Sequence, residues 1–290
     1  VVTDDGRVIE PVIEESSGSK AFERAAIQTV EDWRYEPARL DGEPVQQCKT
    51  KVRIAFAIMG SQDKVSRPFY VRYRKMESSL DEGDIKTASA ELETALQSEG
   101  LTLAEMSWLR ALEARFAGLE GDKERQLAAL RRATAGSSQW ITEDLLTGLL
   151  TTKTALELET GDFSAAMQSY AELKSIGSAD TSQLDPFIEQ VTALVASDDL
   201  FFAEARIGDN PNCETCESQW QYRPLRRSIE IAEVDGELGD LELRCEWQRF
   251  VDRAREGVTW NIPDSWGDCS LVVQGEPGST FKLFEIPAST

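Results

Sequence analysis

Three Gly-Asp pairs do most to limit what this chain can fold into. They stand at Gly83-Asp84, Gly121-Asp122 and Gly161-Asp162, spaced 38 and 40 residues apart. A repeat of that length marks stacked helical hairpins, each of which buries an apolar face it could not bury alone. Ile85, Ala88, Leu92 and Ala95 keep helical spacing after the first pair, and Phe163, Ala166, Tyr170 and Leu173 do so after the third. The middle pair departs: Lys123 stands where the others carry an apolar residue, and Leu127, Leu130 and Ala133 are offset. Helical texture runs over residues 69–198. The acidic residues Glu91, Glu93, Glu99, Glu157 and Glu159 are read there as a solvated face.

The third unit resembles the second helix of a tetratricopeptide repeat, where a small residue lets two helices approach closely. The spacings exceed that repeat's usual length of about 34 residues, so the resemblance is to a degenerate form. Two roles stay open. Leu, Ala, Trp108 and Tyr170 can form the seam between helices, or the stacked units can present a concave groove to a peptide or partner protein. The named residues favour the seam.

Upstream, residues 4–58 carry a second kind of order. Asp5-Gly6 separates Val1-Val2 from the apolar run 8–13, which is the composition of a tight hairpin. Ser16 and Ser17 offer cap oxygens for a helix beginning near Lys20. Its apolar face is Phe22, Ala25, Ala26, Thr29 and Val30. Pro37 sets the limit of that helix, because the residue before a proline is pushed out of the α region. A closing strand then alternates, with Val52, Ile54, Phe56 and Ile58 on one face and Lys51, Arg53, Ala55 and Ala57 on the other.

This stretch resembles the C-terminal domain of TonB. The matching residues are Asp5-Gly6-Arg7-Val8, Phe22-Glu23-Arg24, Ala25-Ala26, Trp33-Arg34-Tyr35-Glu36-Pro37 and the Val-x-Ile-x-Phe run ending at Phe56. The family's domain opens with a Tyr-Pro segment, a short helix and a full first strand. Here the chain starts inside that strand and without Met, so the expectation is a piece of a longer precursor whose membrane anchor or signal peptide lies upstream of Val1. The resemblance implies a periplasmic adaptor that docks on TonB-dependent outer-membrane receptors. Their TonB box would add as a strand along Lys51, Val52, Arg53, Ile54, Ala55 and Phe56. Partnership with ExbB and ExbD is implied only for a full-length, anchored form.

From about residue 199 the texture turns to short alternating segments with Gly and Pro turns. Residues 228–234, 241–247 and 281–286 read as strands, as does the run after Trp266-Gly267, and a sandwich of five to seven strands would hold them. Leu241, Leu243, Cys245 and Trp247 share a face marked for burial, as do Cys269, Leu271 and Val273. Cys245 and Cys269 are thus candidates for a disulfide between strands, given an oxidising compartment. Cys213 and Cys216 form a CxxC in a Pro- and Asn-rich loop. A local disulfide comes first there, a metal second for want of further ligands, and redox catalysis a distant third. Trp260 and Trp266 flank a turn, where they either plug the sandwich or offer a surface that stacks on a sugar.

Composition removes whole classes of function. The chain has 31 basic and 52 acidic residues, a net charge of −21, which repels nucleic acid. The first 58 residues hold 11 acidic against 8 basic ones, so the acidity belongs to residues 59–290. Histidine is absent, which excludes Ser-His-Asp and Cys-His sites and every His-containing zinc site. No run approaches the roughly 20 apolar residues that cross a bilayer. No cofactor, metal or catalytic residue is indicated.

The fold class expected is multidomain α+β. A small β-β-α-β domain at residues 1–59 and a linker at 60–68 precede tetratricopeptide-like hairpins at 69–198 and a β-sandwich-like domain at 199–290. The function expected is receptor docking by the first of these. The alternative is an envelope scaffold that binds protein, peptide or glycan through the later parts.

Overall fold

The computed structural model describes residues 1–13, 20–40, 42–48, 50–52, 54, 65–98, 100–135, 141–208 and 218–287. At the N-terminal end, Val1–Thr3 and Arg7–Ile9 run antiparallel around the Asp5-Gly6 turn, with the Gly6 N–H donating to the Thr3 carbonyl at 3.0 Å. Gly6 has φ +81°, and a Cβ built there would lie 2.1 Å from the Tyr35 carbonyl oxygen. No other residue fits that turn. Helix α1 (Lys20–Glu31) comes next, burying Ala26 and Val30. Its buried stripe is narrower than the spacing predicted, since Phe22 is 38% exposed and Thr29 is also exposed. Strands β1 (Ala38–Leu40) and β2 (Glu43–Val45) then form an antiparallel hairpin that the expected β-β-α-β order does not contain.

The Gly-Asp pairs are the turns of helical hairpins. Helices α2 (Arg67–Asp81) and α3 (Ile85–Leu96) meet at the first pair, α4 (Leu103–Glu120) and α5 (Lys123–Thr134) at the second, and α6 (Glu143–Glu159) and α7 (Phe163–Ser175) at the third. The chemistry is local and repeats. Gly83, Gly121 and Gly161 take φ +83°, +73° and +75°, which closes one helix in a left-handed turn. Asp84, Asp122 and Asp162 then cap the next helix, accepting the backbone N–H of Thr87, Arg125 and Ala165 at 3.2, 2.9 and 3.2 Å. The first hairpin and α4 share a core of Tyr73, Met76, Leu80, Leu92, Leu109, Leu112 and Phe116. Leu127, Leu130 and Ala133, the offset set of the middle unit, are buried in α5. Trp108 and Tyr170 lie partly buried against the inter-helix cores, as a seam requires.

Glu105 ties this stack to its entry. Thr102 and Glu105 form a reciprocal capping box at the start of α4, and the Glu105 carboxylate also accepts the Ser66 N–H at 2.9 Å. Burial alone pushes the Glu105 carboxyl up, but the hydrogen bonds from Thr102 and Ser66 outweigh it and hold the group below the usual range.

One acidic residue corrects the reading of a solvated face. Glu157 is fully buried, accepting the Ser169 hydroxyl of α7 at 2.6 Å with the Arg131 guanidinium of α5 at 3.5 Å. Desolvation pushes its carboxyl up. Glu93 and Glu159 are exposed, Glu91 is half-buried, and Glu99 lies outside the described residues.

Helix α8 (Asp185–Ala196) ends the helical part. Beyond it run strands β3 (Phe201–Arg206), β4 (Gln219–Tyr222), β5 (Ser228–Asp235), β6 (Leu238–Cys245), β7 (Arg249–Arg253), β8 (Thr259–Asn261), β9 (Cys269–Gly275) and β10 (Thr280–Ile286). They form two antiparallel sheets, in the orders β3-β10-β5-β8 and β4-β9-β6-β7. Among the described residues that is eight strands, above the five to seven expected. One core fills the space between the sheets, with Ile229, Ile231 and Leu283 from the first meeting Leu241, Leu243 and Leu271 from the second.

The helices and the sandwich are joined by one buried cation. Arg226, 7% exposed, donates to the carbonyls of Leu194, Val195, Ser197, Asp199 and Glu285 and sits 4.7 Å over the Phe201 ring. It supplies donors to the orphan carbonyls that end α8 and complements the negative end of that helix. Beside it the Glu285 carboxylate accepts the Tyr222 hydroxyl at 2.8 Å and the backbone N–H groups of Leu225 and Arg226. Burial nonetheless pushes the Glu285 carboxyl up.

Candidate functional site

The N-terminal sheet is built around Val2. It bridges Val8 on one side and Gln47 on the other, both antiparallel. With Gln47 it exchanges two hydrogen bonds of 2.8 Å. Arg7 in turn bridges Arg34, and the Tyr35 N–H donates to the Gly6 carbonyl at 2.8 Å. The spatial order is therefore Arg34, Arg7–Val8, Val2, Gln47. Among the described residues Gln47 stands last in this order, and β2, just before it in the chain, is paired with β1.

Of the six residues expected to receive a strand, Lys51, Val52 and Ile54 are described. Lys51 is exposed, Val52 is 47% exposed and Ile54 is half-buried. Arg53, Ala55 and Phe56 lie outside the described residues, as does most of the strand expected there. Cys48, just upstream, is a buried free thiol whose sulfur accepts the Gln46 side-chain amide at 3.2 Å.

The remaining candidates divide. Cys245 and Cys269 are direct cross-strand partners in β6 and β9 and form a disulfide. Cys213 and Cys216 lie outside the described residues. Trp260 is 5% exposed and its indole N–H donates to Asp252 at 3.0 Å, so this ring belongs to the sandwich core and is not available to a sugar. Trp266 is partly buried, 5.9 Å from the Phe250 ring. Trp247, expected in the core, is 51% exposed, because β6 ends at Cys245 and the chain bends there. Among the described residues no group of three His, Cys, Asp or Glu could hold a metal ion.

Residues 1–58 match the family described as Gram-negative bacterial TonB protein C-terminal. That stretch contains the Gly6 turn, helix α1 and the Gln47 bridge, and the match makes the N-terminal module TonB-like. It ties the module to a transport-related, non-enzymatic family of the Gram-negative periplasm. It covers a fifth of the chain, leaving the helical hairpins and the sandwich outside it. No curated protein matches the chain. No helix among the described residues is long and apolar enough to cross a membrane.

Proposed function

We propose that the TonB-like module docks on TonB-dependent outer-membrane receptors by strand addition, with Lys51, Val52, Arg53, Ile54, Ala55 and Phe56 receiving the receptor's TonB box. The observation that supports this reading is the place of Gln47 at the end of the bridge order, four residues before Lys51, in a module that matches the TonB family. A strand at a sheet edge offers N–H and C=O groups to an incoming chain, so affinity comes from the backbone, and alternate side chains add modest selectivity. Residues 51–58 alternate apolar with basic or small residues, as such an edge requires.

The work is done in the periplasm, whose oxidising conditions suit the Cys245–Cys269 disulfide. Partnership with ExbB and ExbD belongs to this proposal for an anchored form alone. The hairpins and the sandwich carry the docking module as a scaffold.

Titration calorimetry of the whole chain with a synthetic TonB-box peptide tests this. Saturable binding is expected, and it should disappear in Ile54→Pro while the helical circular dichroism stays unchanged. Absence of binding to the unaltered chain would move the function to the helical groove or the sandwich.

A further inference from the structure

The outer face of the second sheet should be wet, because the sheet buries its other face in the sandwich. Its edges are, with Gln221 and Val251 exposed, but its middle is not. The register sets Gln221, Val272, Glu242 and Val251 in one row across β4, β9, β6 and β7 on that outer face. In the middle of the row, Val272 is 3% and Glu242 4% exposed. Arg244 and Arg249 are paired in the next outer row and grip the Glu242 carboxylate at 2.7 and 2.6 Å.

A segment from the other end of the chain lies on this face. Arg249 pairs with the Glu10 carboxylate, and Arg244 stands 3.6 Å from the same oxygen. Arg244 also donates to the Glu10 carbonyl at 2.8 Å, and the Gln221 side-chain amide donates to the Ile13 carbonyl at 3.2 Å. Glu10 itself has φ +47°, a left-handed conformation uncommon for a residue with a side chain. A residue is held in such a conformation where its surroundings over-determine it. Here those surroundings are the two guanidinium groups.

We infer that the outer face of the β4-β9-β6-β7 sheet is an interaction surface whose ligand is this chain's own residues 10–13, selected by Glu10. The contacts from Arg244 and Gln221 to main-chain carbonyls carry no side-chain preference, whereas the paired arginines require a carboxylate at one position. The TonB-like module is thereby docked on the sandwich, and the helical stack is bridged at both ends. The contact is charged and half open to solvent, so it opens with salt. It does not depend on the receptor-docking reading, and peptide binding at residues 51–56 can fail without affecting it.

The test uses the whole chain at low concentration with photo-crosslinking benzoylphenylalanine in place of Val12. Illumination should join residue 12 to β4, β6 or β9 peptides of the same molecule. Glu10→Lys, which reverses one charge at an exposed position, should lower that yield about fivefold, as expected for loss of a partly exposed ion-pair network. High salt should lower it likewise. A second placement of the photolabel, at Gln221, guards against the ring itself displacing the segment and should reach the peptide containing residues 10–13. The inference is overturned if neither placement gives an intramolecular crosslink, if Glu10→Lys leaves the yield unchanged, or if the joined peptides come only from different molecules.

Discussion

Replacing Arg226 by methionine should uncouple the helices from the sandwich. The guanidinium makes five hydrogen bonds to carbonyls of Leu194, Val195, Ser197, Asp199 and Glu285. A hydrogen bond with a charged donor contributes about 1.5–3 kcal/mol, and a cation over an aromatic face about 1 kcal/mol. The five are not additive: the Leu194 carbonyl keeps the Ser197 N–H, and carbonyls at the end of α8 can recover water. The loss should therefore be about 4 kcal/mol, a large share of the 5–15 kcal/mol that holds a typical domain. Urea unfolding followed by helical circular dichroism and by tryptophan fluorescence reads it, since four of the seven tryptophans lie beyond residue 218. The two signals should move together in the unaltered chain and separate in the variant. Arg226→Lys should fall between, because one ammonium cannot span carbonyls that a fork reaches. A loss below about 1 kcal/mol with both signals still coincident would refute the coupling.

Other residues make equally direct predictions. The Cys245–Cys269 bond closes a separation of 24 residues, so replacing both cysteines by serine should cost about 3.5 kcal/mol by chain entropy, read as a lower urea midpoint for the sandwich. Gly6→Ala forces a Cβ onto the Tyr35 carbonyl in a left-handed turn and should destabilise the TonB-like module by about 2 kcal/mol or more, read by amide exchange at Val2 and Gln47. Glu105→Gln should cost about 1–2 kcal/mol at neutral pH, by weakening the capping box and the bond from Ser66. Because folding holds that carboxyl below its ordinary value of 4.5, the contribution is complete above that value and is lost as pH falls through the folded one. The variant's deficit should accordingly shrink in acid, measured as urea midpoints across a pH series.

Legibility tracked the range of the chemistry. A left-handed glycine and an aspartate cap act within four residues, so the three hairpins could be read from Gly-Asp pairs alone. Alternation places Cys245 and Cys269 on inward faces, and the disulfide comes from that parity. Parity also misled: it continued to Trp247, past the point where β6 ends. Glu157 looks like its acidic neighbours because the hydroxyl and guanidinium that accompany it come from two other helices. Arg226 caps a helix that ends 30 residues upstream, and no local pattern announces that. The β1–β2 hairpin, by contrast, carries a short-range Asp-Gly signal in the sequence between its strands. The family motif marks residues 51–56 as the candidate edge, whereas the place of Gln47 in the sheet depends on its bridge to Val2, which no local pattern announces.

The most direct test of receptor docking is amide exchange at Val52 and Ile54 in the whole chain, with and without a TonB-box peptide. Strand addition predicts fast exchange in the free chain and protection of both amides at saturating peptide, absent in Ile54→Pro at position 52. Protection already present without peptide, or exchange that the peptide leaves unchanged, would contradict it.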